Sequence, residues 1–282
     1  MGVFSFAGPT CDILGTALMH WTNMVANEYK DLLTTSPAKF ADGAGWEAIK
    51  AVEPVFVGVG SSLVVLFFII GFCSESVDVK EEMRFENILR WLMRLGIAEW
   101  FVANNLTIIK TLFAVAKNFV GAIIGNVGLT PGGLSSKFID TVYDLNFGES
   151  IVAMLVALLT ALVIFACSYF ILYALYFRFI KILITAPLGS LASATIAGNR
   201  TLSHSVASFW KYMIAMIFEV LVIALALNVC SALITSGFAK TACNTLGDCC
   251  VYMMKVCFMV AMTVGCVKGA QNTIERALGL YH

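Results

Sequence analysis

Charge is what this sequence has least of. Only 13% of its 282 residues are charged, against 60% hydrophobic, whereas a soluble domain carries about 25% charged residues. That shortage excludes a water-solvated fold for most of the chain. Basic and acidic residues balance at 18 each, so there is no global basic field of the kind that gathers nucleic-acid phosphates. Any contact with DNA has to be local. Histidine is scarce as well: His20, His204 and His282 fall in neither an H-E-x-x-H nor a Cys/His zinc spacing, and no metal or other cofactor is expected. A phosphate loop is missing, because the glycine-rich Gly58-Val59-Gly60-Ser61-Ser62 lies inside an apolar run and has no lysine to meet a phosphate. There is no G-x-S-x-G elbow, and Ser203, Ser205 and Ser208 beside His204 sit in a polar stretch. These absences predict a protein that is not an enzyme and does not drive its own work by NTP hydrolysis. Met1 to Pro9 also lacks a charged n-region, since the first basic residue is Lys30, so the first spanning segment is expected to act as an uncleaved anchor.

What the chain does have is apolar length. Runs of about 20 residues cross a hydrocarbon core of roughly 30 Å, and they occur at about Val55 to Cys73 (preceded by Pro54), Gly96 to Ile124, Ile151 to Phe177, Tyr212 to Ile234 and Val251 to Val267. The second is mixed, being interrupted by Glu99, Asn104, Asn105, Lys110 and Lys117. The third ends in aromatics with Arg178 and Lys181, the look of an interfacial anchor. Between the third and fourth, Phe179 to Ser208 is apolar but broken by Pro187, which predicts a re-entrant or cytoplasmic surface-lying element. Ahead of the first span, Leu14, Leu18, Trp21, Val25 and Leu32 recur at helical spacing, an amphipathic helix for the bilayer surface or for a partner helix. The predicted fold class is therefore all-α: a polytopic integral membrane protein with about five transmembrane helices. Residues 1–54 form an external amphipathic region and residues 55–282 a single transmembrane domain.

Orientation follows from the basic residues of short loops. With the N-terminus outside, the inner segments hold Lys80, Arg84, Arg90, Arg94, Arg178, Lys181, Arg200, Lys211, Lys268 and Arg276, and the outer ones only Lys30, Lys39, Lys50, Lys137 and Lys240. This bias predicts an external N-terminus and a cytoplasmic C-terminus. Gly125 to Gly148 becomes the longest external loop, expected to be ordered only in part.

Ionisable groups inside a span cost about 2.5–3.5 kcal/mol on insertion scales and face protein or water. Lys110 and Lys117 are a heptad apart on one helical face, and Glu99 falls back within about 20° of the same stripe. Two readings stand. The seam lines a hydrated conduit or a subunit contact, or Lys117 snorkels outward while Lys110 pairs internally. Glu219, inside the fourth span, is a candidate for pairing with a lysine or polar group on a neighbouring helix, or for a proton relay. Lys255, one turn into the fifth span, is expected to snorkel. Gly121 and Gly125 make a small-xxx-small pair that permits close helix packing. Of the nine cysteines, Cys243, Cys249 and Cys250 cluster in a short polar loop. There Cys243 could pair with Cys249 or Cys250 as a disulfide, or all three could remain thiols.

The order of these elements carries a resemblance. An amphipathic N-terminal helix and a first span lead to the charged stretch EEMRFENILRWLMRLG and a polar second span. Then Arg178-Phe-Ile-Lys181 runs through Ala186-Pro187-Leu188 to Trp210-Lys211 and two final spans. The whole resembles the TrbL family, polytopic membrane subunits of conjugative type IV secretion systems equivalent to the sixth VirB component. Within it the chain is most similar to the shorter versions carried by mobile elements of Gram-positive bacteria. The external loop, Gly125 to Ser150, departs from the Gram-negative pattern in being short. The resemblance implies a non-enzymatic subunit in the bacterial cytoplasmic membrane, assembling as a homo-oligomeric ring of about five copies. Single-stranded DNA with its attached relaxase would pass through this platform, energised by separate ATPases and in contact with other secretion subunits. The competing class is a small-solute transporter or independent ion channel, against which stands the lack of an inverted repeat or a matched pair of broken spans. A passive scaffold held together by its charged seams is a third reading.

Overall fold

A backbone threaded through hydrocarbon finds hydrogen-bond partners only in itself, and this chain responds with helix. The computed structural model describes residues 6–78, 85–126, 134–198, 200–238 and 243–279, and among these there is no strand. Lys80, Arg84 and Lys240 of the orientation count lie outside the described residues, as do the side chain of Arg200 and the surroundings of Gly125. In chain order the helices are α1 (Ala7–Asn23), a π-helical segment Met24–Tyr29, α2 (Lys30–Thr34), α3 (Ala44–Asp78), α4 (Phe85–Ala103), α5 (Asn105–Asn126), α6 (Ser136–Tyr143), α7 (Phe147–Thr185), α8 (Leu188–Ala194), α9 (Arg200–Phe238) and α10 (Leu246–Ala277). Five segments are long and apolar enough to cross a membrane: Phe40–Ser74, Asn105–Ile124, Phe147–Thr185, Ser203–Leu233 and Leu246–Ala277. The number expected from the sequence is thus met, although the boundaries move.

Two boundary shifts have clear causes. Pro54 does not precede the first span but sits inside α3, costing that helix one hydrogen bond without ending it. The second expected span, residues 96–124, straddles two helices that meet at Asn104. Backbone bonds still cross the junction, from Asn104 N–H to the Trp100 carbonyl (3.0 Å) and from Ile108 N–H to the Asn104 carbonyl (3.0 Å). The Asn104 amide also donates to the Trp100 carbonyl (2.9 Å), and such local side-chain bonding competes with the helix ladder.

The chain divides into two units. The first comprises the described residues of Met1–Thr34, Phe119–Tyr176 and Val220–Gln271. Here Ala7, Thr10, Leu14, Ala17 and Trp21 form the buried stripe of α1, at the three- and four-residue spacing of one helical face. Ring contacts run from Phe6 with Phe147 (5.7 Å) to His20 with Phe165 (4.8 Å) and Tyr169 (5.7 Å). The Tyr29 hydroxyl donates to the Ser168 carbonyl at 2.6 Å. Of the two settings expected for this amphipathic helix it occupies the second, a partner helix, lying along the first part of α7. The stretch expected to be only partly ordered contains α6, whose Phe138 stacks on Tyr252 (4.8 Å) and whose Thr141 hydroxyl donates to the Cys243 carbonyl (2.7 Å).

The second unit comprises the described residues of Thr35–Asn118, Phe177–Glu219 and Asn272–His282. Its core is Val64, Ala98, Val102, Ala194 and Ala197, drawn from α3, α4 and the Pro-broken element. That element, α8 with the 3-10 turn Thr195–Ala197, packs on both α3 and α4. It can do so because the face it buries is small: Gly189, Ser190, Ser193 and Ala194. A Cβ at Gly60 would come within 3.1 Å of the Ser190 carbonyl oxygen and 3.0 Å of Val102 Cγ1. A Cβ at Gly189 would collide with the Asn105 amide. The run through Ala41, Asp42 and Gly43 into α3 has positive φ throughout (50°, 56° and 81°), a strained turn for the first two. Stacking of Phe40 on Phe179 at 4.4 Å pins it.

The Gly189 contact gives a stability prediction. Gly189→Ala should destabilise the protein by about 1–3 kcal/mol, the usual cost of overpacking, and Gly189→Val by more, read as a lowered thermal midpoint in detergent. An unchanged midpoint for both would contradict the close approach.

Candidate functional site

The polar groups on the spanning helices are where the sequence concentrates its chemistry, and the structure distributes them unevenly. Most deeply set is Arg178. The spacing of Ile171, Leu175, Phe179 and Ile182, all at 0% exposure, defines the buried stripe of α7, and Arg178, at 4% exposure, falls on that stripe. Its Nε and Nη2 donate to the main-chain carbonyls of Met216 (3.3 Å) and Ile217 (3.2 Å) in α9. Glu219, 9% exposed, lies one turn further along α9 and within electrostatic range of Arg178, Lys181 and Glu275. Lys181 in turn covers the Tyr212 ring at 5.5 Å. Arg178 is therefore an interior cation, where its aromatic neighbours had suggested an interfacial anchor. The heptad step from Ile171 was the signal that distinguishes the two.

A second polar knot joins α5 to the Pro-broken element. Asn105 is fully buried and its amide nitrogen donates to the Ala186 carbonyl at 2.7 Å. This carbonyl stands just before Pro187, at the break between α7 and α8, and also accepts the Gly189 N–H at 3.2 Å. The Ser190 hydroxyl reaches the Val102 carbonyl (3.4 Å), and Trp210 Nε1 donates to Ser193 Oγ (3.3 Å). Asn105 was visible in the sequence only as an interruption of a span. Its role as a brace needed the fold.

The expected seam separates into three environments. Glu99, on α4, accepts a 2.6 Å hydrogen bond from the Ser61 hydroxyl of α3. Lys110, on α5, has its ammonium 5.2 Å from the centre of the Trp46 ring, a cation–π contact. Lys117 is exposed, with no hydrogen bond or ion pair to the described residues. No ion pair joins Glu99 to either lysine. Gly121 is exposed, with open space where a Cβ would stand, so among the described residues it makes no close helix packing. Cys243 and Cys249 are buried and share a hydrogen bond as thiols, Cys250 is half-buried, and no disulfide is formed. Burial, reinforced by the Asp248 carboxylate, pushes the Cys243 thiol up from its ordinary value.

Helices of bilayer length, an interior arginine set beside a buried acid and a helix broken at proline define a multi-pass membrane protein. A model of the TrbL/VirB6 plasmid conjugal transfer like protein family matches residues 23–192. That is more than half of the chain, and the chain belongs to this family. The match takes in Asn105, Lys110, Lys117, Arg178 and Gly189. Membership gives the protein a role in conjugal transfer, in association with other components of the transfer system. No curated protein and no solved structure matches the chain.

Two predictions come from this geometry. Arg178→Met removes the stronger of Glu219's two cationic neighbours, leaving only Lys181, and should cost about 3–5 kcal/mol, while Arg178→Met with Glu219→Met should cost clearly less than the two single changes summed. Thermal unfolding in detergent reads this cycle, and additive losses would show the two residues to be independent. Cys243, buried and biased toward its thiol form, should react with a maleimide far more slowly than exposed Cys73, because the thiolate is the nucleophile. Mass spectrometry of the labelled native protein measures the ratio, and equal rates would refute the environment described.

Proposed function

We propose that this protein is a non-enzymatic platform or channel subunit of a conjugative DNA-transfer machine. It assembles as a ring of about five copies in the bacterial cytoplasmic membrane, with the N-terminus outside and the C-terminus in the cytoplasm. Single-stranded DNA carrying its relaxase passes through the assembly, and partner ATPases supply the energy.

The observation that carries this reading is the outward face of α5. Thr107, Lys110, Thr111, Lys117 and Asn118 are all exposed, and with Ala114 and Gly121 they fall within about 120° of the helix circumference. Asn105–Ile124 is a segment of bilayer length, and lipid is a costly neighbour for such a face, at about 2.5–3.5 kcal/mol for each charge at mid-helix. A face of that kind belongs against water or against another subunit, and an assembly around a conduit provides both. Lysines repeated around a ring would also favour an anionic substrate. Single-stranded DNA is the polyanion that conjugation moves.

Replacing both Lys110 and Lys117 by leucine should lower conjugation frequency by at least about tenfold, with membrane insertion and protein level unchanged. Transfer at the wild-type frequency would remove the role given to this face.

A further inference from the structure

Between α1 and α7 lies an open groove of about 520 Å³, lined by Ile13, Leu158, Leu162 and Phe165 and bearing a single charge, Asp12. Asp12 is exposed and has no hydrogen bond or ion pair to the described residues. Leu158 and Leu162 belong to the most apolar stretch of the chain, so this carboxylate stands beside hydrocarbon-facing side chains (Leu158 53% and Leu162 64% exposed). A carboxylate in that position needs a cation or water to face it.

The chain also carries a lysine with the opposite need. Lys117 is exposed within a spanning segment and is flanked on its face by Ala114 and Gly121. Gly121 offers open space in place of a side chain, so the helix beside Lys117 is flat enough to enter a groove walled by leucines. Lys117 is seven residues before Ile124, where the spanning part of α5 ends, and Leu158 is eleven residues after Phe147, where the spanning part of α7 begins. At 1.5 Å per residue these lie about 10 Å and about 16 Å in, a difference that the long stem of a lysine spans. Both distances are measured from the same membrane side, because α5 ends and α7 begins at either end of one interspan loop.

We propose that the groove between α1 and α7 is the seat of α5 from a second copy of this chain, with Lys117 of the incoming helix meeting Asp12. The two faces differ, so the contact is heterologous and repeats head to tail, the arrangement that closes into a ring. The inference rests on the ring reading given above and names the surfaces that build it. It places Lys117 at the junction between neighbours.

The test is a charge-reversal cycle on the full-length protein in lipid nanodiscs, with the oligomeric state read by native mass spectrometry. Wild type should be oligomeric, Asp12→Lys and Lys117→Asp should each weaken assembly at least about tenfold, and the double reversal should restore it. Where a reversed charge prevents insertion, Asp12→Asn and Lys117→Gln supply the single-loss arms, each expected to weaken assembly. An oligomeric wild type whose single variants assemble equally well would overturn this contact while leaving the ring intact. A monomeric wild type would overturn the ring reading itself. Intact oligomers that lose bound ethanolamine lipid on Asp12→Asn would assign the groove to a lipid instead and overturn the proposal.

Discussion

A charge inside a bilayer has few resting places: a counter-charge, a polar atom of the protein, an aromatic face, water, or a neighbouring subunit. The arrangement of this protein depends on how it allots them. Arg178 takes main-chain carbonyls of α9 and the field of Glu219. Glu99 takes a serine hydroxyl and Lys110 a tryptophan ring. Those groups are provided for by the chain itself, and each thereby ties two helices together. Lys117 and Asp12 lack such provision among the described residues, and both side chains are exposed on the surface of the chain.

Small side chains do the complementary work. A broken helix at membrane depth is tolerated where protein covers its unpaired backbone, and here the cover is close contact. Gly60 and Gly189 let backbone approach backbone and side-chain amide, Asn105 adds a second donor to the Ala186 carbonyl, and Ser190 reaches Val102. The family match takes in Gly60, Val102, Asn105, Gly189 and Ser190 but stops before Ser193, Trp210 and Glu219. Most of the device that seats the Pro-broken element therefore lies in the part of the chain that resembles other conjugal transfer proteins, and the acid that faces Arg178 lies beyond it.

Much of this was legible in the sequence because hydrocarbon imposes a length. The five runs, the helical class and the family resemblance all follow from patterns long enough to outweigh local ambiguity. Single residues were harder. Arg178 read as an anchor because Tyr176 and Phe177 precede it, and only the heptad running from Ile171 places it on the buried stripe. Pro54 read as a boundary, yet the apolar context of α3 carried the helix through it. The seam of Glu99, Lys110 and Lys117 was visible as a stripe on one ideal helix. The partners that give its members different surroundings, Ser61 and Trp46, come from α3, and no pattern within residues 96–124 could announce them. The same holds for Asp12, whose groove is made as much by α7 as by its own helix.

The central claim is that the polar face of α5 does not meet lipid. The most direct measurement is collisional accessibility of a spin label at Ala114, at the middle of that face, in a background without the native cysteines and in the assembled protein in a bilayer. Leu159, 65% exposed on the apolar flank of α7, serves as the lipid-facing reference. The account predicts that oxygen dissolved in the hydrocarbon reaches the Ala114 label far less than the Leu159 label. Equal oxygen accessibility at the two sites would put α5 against lipid and contradict it.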